Sequence, residues 1–164
     1  MIPKRVHNFG TYFTTSQTWG RRALFHAGEL ARLFLNTLFH YRLQRKYLLH
    51  EFVVMPDHVH LIITPVDITL ERAMQFIKGG YSHAVAETGR RNLQIWQKGF
   101  TDHRIRDFRD YEQHCDYVRQ NPVRAKLSRS AGDYLSSSAH PGYELDDLPQ
   151  RLKPAPLAVG ERHG

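Results

Sequence analysis

The chain has 164 residues, enough for one domain with a buried core. Its one cysteine, Cys115, excludes an internal disulfide bond and a zinc cluster built from cysteines. The net charge is +7, and the whole surplus lies in residues 1–50, which hold eight Lys or Arg and one acid. Such a surplus is typical of proteins that bind nucleic acid, although it is also compatible with a merely solvated surface.

The first half of the chain predicts a strand, a helix and a hairpin. Thr11–Thr18 is rich in β-branched and aromatic residues, which favour a strand. Apolar residues then recur at helical spacing through Glu29–Tyr41. Lys46–Met55 and His58–Thr64 predict two further strands, and the turn signal Pro56–Asp57 between them predicts that they pair as a hairpin.

The second half predicts a helix, a short strand and another helix. Thr69 is a candidate N-cap for a helix whose apolar stripe runs from Leu70 to Val85. Asn92–Gln97 and Thr101–Arg106 predict short extended segments, and Asp107–Gln120 predicts a helix.

This element order predicts an α+β fold. The first six elements give a ferredoxin-like βαββαβ arrangement, with one antiparallel sheet and both helices on one face. The last helix is an additional C-terminal element, and the free face of the sheet is open for a site or for that helix. After about Ser128 the pattern weakens, so we expect a domain over residues 1–128 and an extended C-terminal tail over residues 129–164.

The hydropathy pattern gives no sign of a membrane or secreted protein. No apolar stretch approaches the roughly 20 residues that cross a bilayer, and the N-terminus lacks the apolar core of a signal peptide. We therefore expect a cytoplasmic protein with no membrane partner.

The first chemical pattern is His58-Val59-His60 within a predicted strand. Residues i and i+2 of a strand point to the same face, so both imidazoles should project together while Val59 faces the core. Two neutral imidazoles on one face are able to ligate a divalent metal ion. The alternative is a pair of partly exposed histidines without a function.

The second pattern is Tyr117-Val118-Arg119-Gln120-Asn121-Pro122. Tyr117 and Asn121 are four residues apart and should lie on one face of the helix. Pro122 biases Asn121 away from helical geometry, which predicts that the helix ends there and that Asn121 caps a following short helix. The alternative is that Asn121 is only a cap and Tyr117 only a packed aromatic residue.

Taken together, the motifs resemble a known family. FVVMPDHVHLIITP is similar to the histidine–hydrophobe–histidine (HUH) strand of single-strand DNA endonucleases, and YVRQNPVRAKL resembles the tyrosine helix of REP-associated tyrosine transposases. IWQKGFTDHRIRD and TYFTTSQTWGRRALF are similar to further stretches of that family. The resemblance runs from about Thr11 to Leu127, and that family also has a ferredoxin-like fold.

The resemblance implies a metal-dependent endonuclease and strand transferase that acts on single-stranded DNA. Tyr117 would be the nucleophile that forms a 5′-phosphotyrosine and frees a 3′-hydroxyl. His58, His60 and Asn121 would bind the metal ion, Mg²⁺ or Mn²⁺, and Mn²⁺ suits imidazole ligands better. No base for Tyr117 is evident; His114, three residues earlier on the same helix face, is either that base or a surface histidine.

The resemblance also implies a DNA partner with hairpin-forming palindromic repeats, bound by a monomer or a homodimer. Basic and aromatic side chains are the candidates for holding this DNA, because cations grip phosphates and aromatic rings stack on bases. The candidates are Arg5, Trp19, Arg21, Arg22, Lys78, Arg104 and Arg106. Next to Lys78, the pair Gly79–Gly80 either admits a close approach of DNA or of the catalytic helix, or marks a tight helix–sheet contact.

Two other functions compete with this one. A non-catalytic single-stranded nucleic-acid-binding module of ferredoxin-like fold would also be basic and aromatic, but the chain lacks the aromatic strand motif of common RNA-binding domains. A histidine-ligated metallohydrolase of small molecules would explain neither the charge nor Tyr117.

Overall fold

The computed structural model describes residues 10–154. The chain forms one four-stranded sheet with strand order β2-β3-β1-β4, in which all neighbouring strands are antiparallel. This is the predicted ferredoxin-like α+β arrangement followed by a third helix. The elements are β1 (Tyr12–Gln17), α1 (Gly28–Leu43), β2 (Tyr47–Val54), β3 (His58–Pro65), α2 (Leu70–Glu87), β4 (Thr101–Arg104) and α3 (Phe108–Arg124).

The sheet separates two hydrophobic cores, as the alternation of β3 predicts. Val59, Leu61 and Ile63 face α1 and α2 and belong to the larger core. Ile62 faces the opposite way and packs with Val118 of α3 in a smaller core. Helix α3 therefore covers the face of the sheet to which the two histidines of β3 belong.

Two helices begin at side-chain caps. Thr69 Oγ1 accepts a hydrogen bond from the Arg72 N–H at 3.1 Å at the start of α2, which confirms the predicted cap. Asp107 Oδ1 accepts one from the Asp110 N–H at 2.8 Å at the start of α3. The latter cap fixes where the helix that carries Tyr117 begins.

The prediction that α3 ends at Asn121 is wrong. The helix continues through Pro122 to Arg124, so Asn121 lies inside it and does not cap a second helix. Proline removes one backbone donor and crowds the carbonyl four residues earlier, so its place inside a helix has to be offset by other contacts. The ring of Pro122 is buried, so packing favours its place in the helix.

Two details of α2 and of the loop after it also differ from expectation. Asn92–Gln97 forms no strand; Trp96 makes only an isolated antiparallel bridge to Thr18. Gly80 faces helix α1 rather than the sheet, because a Cβ there would lie 2.6 Å from the ring of Tyr41 on α1. It permits a close contact between two helices, whereas Gly79 faces open space.

Residues 129–154 contain only two short 3-10 turns, yet they pack along the outer edge of β2. The Val54 N–H donates to the Ser136 carbonyl at 2.8 Å, and the Asp146 N–H donates to the Leu49 carbonyl at 2.8 Å. The Arg42 guanidinium donates two hydrogen bonds of 2.9 Å to the Asp146 carboxylate. This segment thus covers a strand edge that would otherwise expose backbone groups; the division of the chain at residue 128 stays a prediction.

Within residues 10–154, no helix combines the length and the apolar character that crossing a membrane requires.

Candidate active site

His58 and His60 lie side by side on the face of β3 that α3 covers. Their ring centroids are 4.7 Å apart. In the antiparallel register, His58 is opposite Gln17 and His60 is opposite Thr15 on β1. The sequence-predicted pair of imidazoles therefore does project to one side of the sheet.

The environment of His60 suits a metal ligand. The side chain is only 4% exposed, and its Nδ1 is hydrogen-bonded to Thr15 Oγ1 at 2.9 Å. Its Nε2 is buried and has no hydrogen-bond partner among residues 10–154. Burial, and then the neighbouring His58, lower the pKa of His60 to about 3, so the ring is neutral at physiological pH and keeps a lone pair. A neutral imidazole held by its other nitrogen is the state that binds metal ions.

His58 is held by the residue that precedes it. Its Nδ1 lies 2.6 Å from Asp57 Oδ1, and Asp57 Oδ2 also accepts a hydrogen bond of 3.4 Å from Arg21 Nε. Burial alone would raise the pKa of Asp57, but the His58 and Arg21 contacts outweigh it and hold this pKa below its ordinary value. The Asp57 carboxylate therefore orients His58 and links it to Arg21, a predicted DNA-binding residue.

Helix α3 brings Tyr117 to the histidine pair. The centroid of the Tyr117 ring lies 5.3 Å from that of His60, and the side chain is 42% exposed. Phe13 of β1 fills the space beside them, stacked on His60 at 5.1 Å and edge-on to Tyr117 at 5.9 Å. The predicted nucleophile and one predicted metal ligand, 57 positions apart in sequence, are thus in contact.

Asn121 lies one turn beyond Tyr117 on α3 and is half-buried. The spacing of four residues places it on the same helix face as Tyr117. Its assignment as the third metal ligand stays a prediction.

An open cavity of about 230 Å³ lies between β1 and the segment that leads into β4. Thr15 and Gln17, the β1 residues opposite His60 and His58, form one wall. Gln97 and Phe100 contribute to the other wall. The cavity is therefore connected to the histidine pair only through the β1 residues that pair with it, and neither histidine lines it.

Three of the predicted DNA-binding residues lie in the turn after β1. Trp19 is 43% exposed, and its N–H donates to the Ile95 carbonyl at 2.8 Å. Arg21 reaches Asp57, while the Arg22 guanidinium donates to the Gln94 carbonyl. Arg5 lies outside the described residues.

The other three lie farther along the chain. Lys78 of α2 donates to the backbone carbonyls of Gln97 and Gly99, and burial lowers the pKa of its ammonium group. Arg104 is exposed at the end of β4. The predicted extended segment Thr101–Arg106 is shorter in the structure, because β4 ends at Arg104 and Arg106 lies beyond the strand. The Nε of Arg106 lies 3.5 Å from Asp110 Oδ2. The role of all these residues in DNA binding stays a prediction.

Some side chains at the site were not singled out from the sequence. The guanidinium of Arg124 lies over the Tyr117 ring, 4.6 Å from its centroid, and donates to the Tyr117 carbonyl at 2.9 Å. The spacing of seven residues on one helix is the signal that would have found it. Thr15, by contrast, acts through a contact between two strands that sequence spacing does not encode, whereas Asp57 directly precedes the histidine that it holds.

His114 is not a free surface histidine. It is half-buried, and its Nδ1 donates to the Asp110 carbonyl at 2.8 Å. Its ring contacts Phe13 with a centroid distance of 5.0 Å and stacks on His103 at 4.5 Å. A candidate base that is already bound to Asp110 is a weaker candidate for deprotonating Tyr117.

Comparison with known proteins decides the family. A family model described as transposase IS200-like matches residues 14–121. The chain belongs to this family. It is 30% identical over 133 residues to a REP-associated tyrosine transposase of Escherichia coli (strain K12), with 80% of this chain and 77% of that protein covered. Transposases of this family cleave DNA, so the predicted enzyme class and family are confirmed.

Two more relatives agree. A protein of Haemophilus influenzae is 27% identical over 108 residues, which cover 59% of this chain and 61% of the relative. A solved structure of a REP-associated tyrosine transposase bound to a REP hairpin has a TM-score of 0.70, with 22% sequence identity, and covers 94% of this chain and 98% of that one. This structural likeness confirms the predicted fold.

Proposed function

We propose that this transposase cleaves and rejoins single-stranded DNA beside hairpin-forming repeats, with Tyr117 as the nucleophile. The contact of Tyr117 with His60 is the observation that carries the proposal. The phenol oxygen of Tyr117 loses its proton and attacks the scissile phosphorus. The bond from phosphorus to the 3′-oxygen breaks, and the departing 3′-oxygen takes up a proton to become a hydroxyl. The 5′-phosphotyrosine conserves the energy of the phosphodiester, so that a second 3′-hydroxyl is able to reverse the reaction and join a new end.

His58, His60 and Asn121 would hold a divalent cation. The buried Nε2 of His60, which has no partner among the described residues, supports this assignment, as does the neutral state of the ring. A cation bound there would polarise the scissile phosphate and offset its developing charge. Two imidazoles and one amide favour Mn²⁺ over Mg²⁺.

The protein's own residues position the reacting groups. Thr15 and Asp57 fix the orientation of the two imidazoles through hydrogen bonds of 2.9 and 2.6 Å. Arg124 lies over the Tyr117 ring and donates to the Tyr117 carbonyl, so it supports the helix turn that carries this side chain. Phe13 packs against the rings of both His60 and Tyr117 and supports their placement.

The substrate class rests on the surroundings of this site. Trp19 and Arg21 are exposed in the turn beside Asp57, where an aromatic face and a cation would hold an unpaired base and a phosphate. The cavity between β1 and the segment before β4 would receive a nucleotide next to the scissile phosphate. The E. coli relative is named REP-associated, and the structural relative was solved with a REP hairpin, which supports a hairpin-containing substrate here. The cytoplasmic location and the choice between monomer and homodimer stay predictions.

The nucleophile is tested by trapping the covalent adduct. Wild-type protein and Mn²⁺ are incubated with a 5′-labelled and, separately, a 3′-labelled hairpin oligonucleotide, and adducts are resolved on denaturing gels. We expect the 3′ label to become attached to protein, and Tyr117→Phe to abolish the adduct. Tyr134→Phe is the matched control on the same side of the sheet, and it should keep the adduct. An adduct formed by Tyr117→Phe would show that the nucleophile is another residue.

The metal ligands are tested by removing the imidazoles. His58→Ala combined with His60→Ala should remove metal-dependent cleavage and leave hairpin binding in place. Cleavage that continues in excess chelator would contradict the proposed role of the metal ion.

A further inference from the structure

A second cluster of metal-ligating side chains joins β4 to α3. It consists of His103 on β4 and Asp110 and His114 on α3, and one ligand atom of each lies within 4.8 Å of the others. His103 Nε2 lies 2.8 Å and His114 Nδ1 lies 3.2 Å from oxygens of the Asp110 carboxylate. Three metal-ligating side chains from two elements thus lie close together, and none of them takes part in the proposed cleavage.

Asp110 is the anionic member of this cluster and is 6% exposed. Its carboxylate accepts hydrogen bonds from the Arg106 N–H at 2.9 Å and from His103 Nε2 at 2.8 Å. The Nε of Arg106 lies 3.5 Å away on a side chain that is 77% exposed and therefore screened by water. A dication held by the three side chains would pair directly with this buried carboxylate.

We propose that His103, Asp110 and His114 bind one transition-metal dication of the Zn²⁺ type. Two imidazoles and one carboxylate form a donor set that Zn²⁺ accepts and that Mg²⁺ does not prefer. The ion would take the place of the protons that His103 Nε2 and His114 Nδ1 now share with Asp110. Binding would also turn the two imidazoles out of their stacked arrangement. The side chain of His103 is 39% exposed, which leaves a path for entry from solvent.

This site is separate from the one at His58 and His60. Phe13 lies between them, with its ring 5.1 Å from that of His60 on one side and 5.0 Å from that of His114 on the other. The bound ion would fasten the first turns of α3 to the edge strand β4. Because His114 is three residues from Tyr117, the ion would stabilise the helix that carries the proposed nucleophile without touching the substrate.

The experiment measures Zn²⁺ binding in the absence of the first site. The chain has 11 histidines, so the background is the variant His58→Ala with His60→Ala, freed of metal by chelator and dialysis. We expect this variant to bind one equivalent of Zn²⁺ by calorimetry, to raise its melting temperature as it does so, and to give the visible absorption of tetrahedral Co²⁺ when Co²⁺ replaces Zn²⁺.

Two further substitutions in that background identify the ligands. His103→Gln removes the ligand nitrogen but still offers an N–H to Asp110, so the fold should survive, as circular dichroism will check. It should weaken Zn²⁺ binding by at least tenfold and abolish the rise in melting temperature. His83→Ala, at an exposed histidine that pairs with Glu87, is the control and should change neither.

The outcomes separate this proposal from the proposed function. If the background variant binds no stoichiometric Zn²⁺, or if His103→Gln binds it as tightly as the background does, the second site does not exist. Neither result bears on Tyr117 or on metal-dependent cleavage, which depend on His58 and His60.

Discussion

Glu51 and Arg119 form one ion pair, but removing Arg119 should destabilise the fold more than removing Glu51. Glu51 of β2 is 2% exposed and accepts hydrogen bonds from Arg119 of α3 and from the hydroxyl of Ser138. The Arg119 side chain is 48% exposed. Water is therefore able to solvate the guanidinium when the carboxylate is removed, whereas the carboxylate has no comparable access when the guanidinium is removed.

The magnitudes follow from this asymmetry. Arg119→Met leaves a buried carboxylate whose remaining side-chain donor among residues 10–154 is Ser138. We expect a loss of about 3 kcal/mol, at the low end for a broken buried pair. Glu51→Gln keeps the volume and leaves a solvated cation, which should cost about 1–2 kcal/mol. For a domain of this size, 3 kcal/mol corresponds to a fall in Tm of roughly 6–12 °C. The double variant should lose less than the sum, because no charge then remains buried alone.

Urea unfolding at 25 °C, followed by circular dichroism, gives the four free energies of this double-mutant cycle. Glu87→Gln, in the exposed pair with His83, serves as the control and should stay within about 0.5 kcal/mol of wild type. The reasoning fails if Glu51→Gln is the costlier of the two substitutions, or if Arg119→Met costs no more than Glu87→Gln does.

Two more predictions concern stability. Gly79→Ala should raise the free energy of unfolding by about 0.5–1 kcal/mol, since nothing obstructs a Cβ at that position. Gly80→Ala should lower it by about 1 kcal/mol, because the ring of Tyr41 must move. Equal effects of the two substitutions in thermal unfolding would contradict the contact between α1 and α2 at Gly80. Burial alone would raise the pKa of Asp146, but the hydrogen bonds from Arg42 outweigh it and lower this pKa, so the pair stabilises the fold at neutral pH and stops doing so as acid protonates the carboxylate. Asp146→Asn should therefore lower the free energy of unfolding at pH 7, and its difference from wild type should shrink below about pH 4. The same difference at both pH values in urea unfolding would refute the pairing.

The arrangement of the sheet was predictable because local patterns carried it. The alternation in β3 assigned Val59 to one face and His60 to the other, and the structure places them so. The end of α3 was not predictable in the same way. The rule that proline disfavours a helical residue before it is local, whereas the ring of Pro122 is held by packing that only the folded chain creates.

The candidate site was predictable only in part. The motifs named Tyr117 and His60, and the structure brings their rings into contact. The contact of His103 with Asp110 has no comparable signal, because it depends on how the end of β4 meets the start of α3. From the sequence, only the spacing of four residues between Asp110 and His114 predicts that these two side chains share a helix face.

Two attachments of α3 to the sheet explain how the position of the half-exposed Tyr117 is fixed. Asp110 ties the start of the helix to β4 through His103, and Arg119 ties its second half to β2 through Glu51. Tyr117 lies between these two attachments and is itself 42% exposed, in contact with His60 and Phe13. The carboxylate of each attachment, Asp110 or Glu51, is buried. The helix axis is therefore fixed while the Tyr117 side chain keeps access to solvent. The proposed role of Tyr117, to attack a DNA strand that arrives from outside the protein, would need this combination of a rigid backbone and an open side chain.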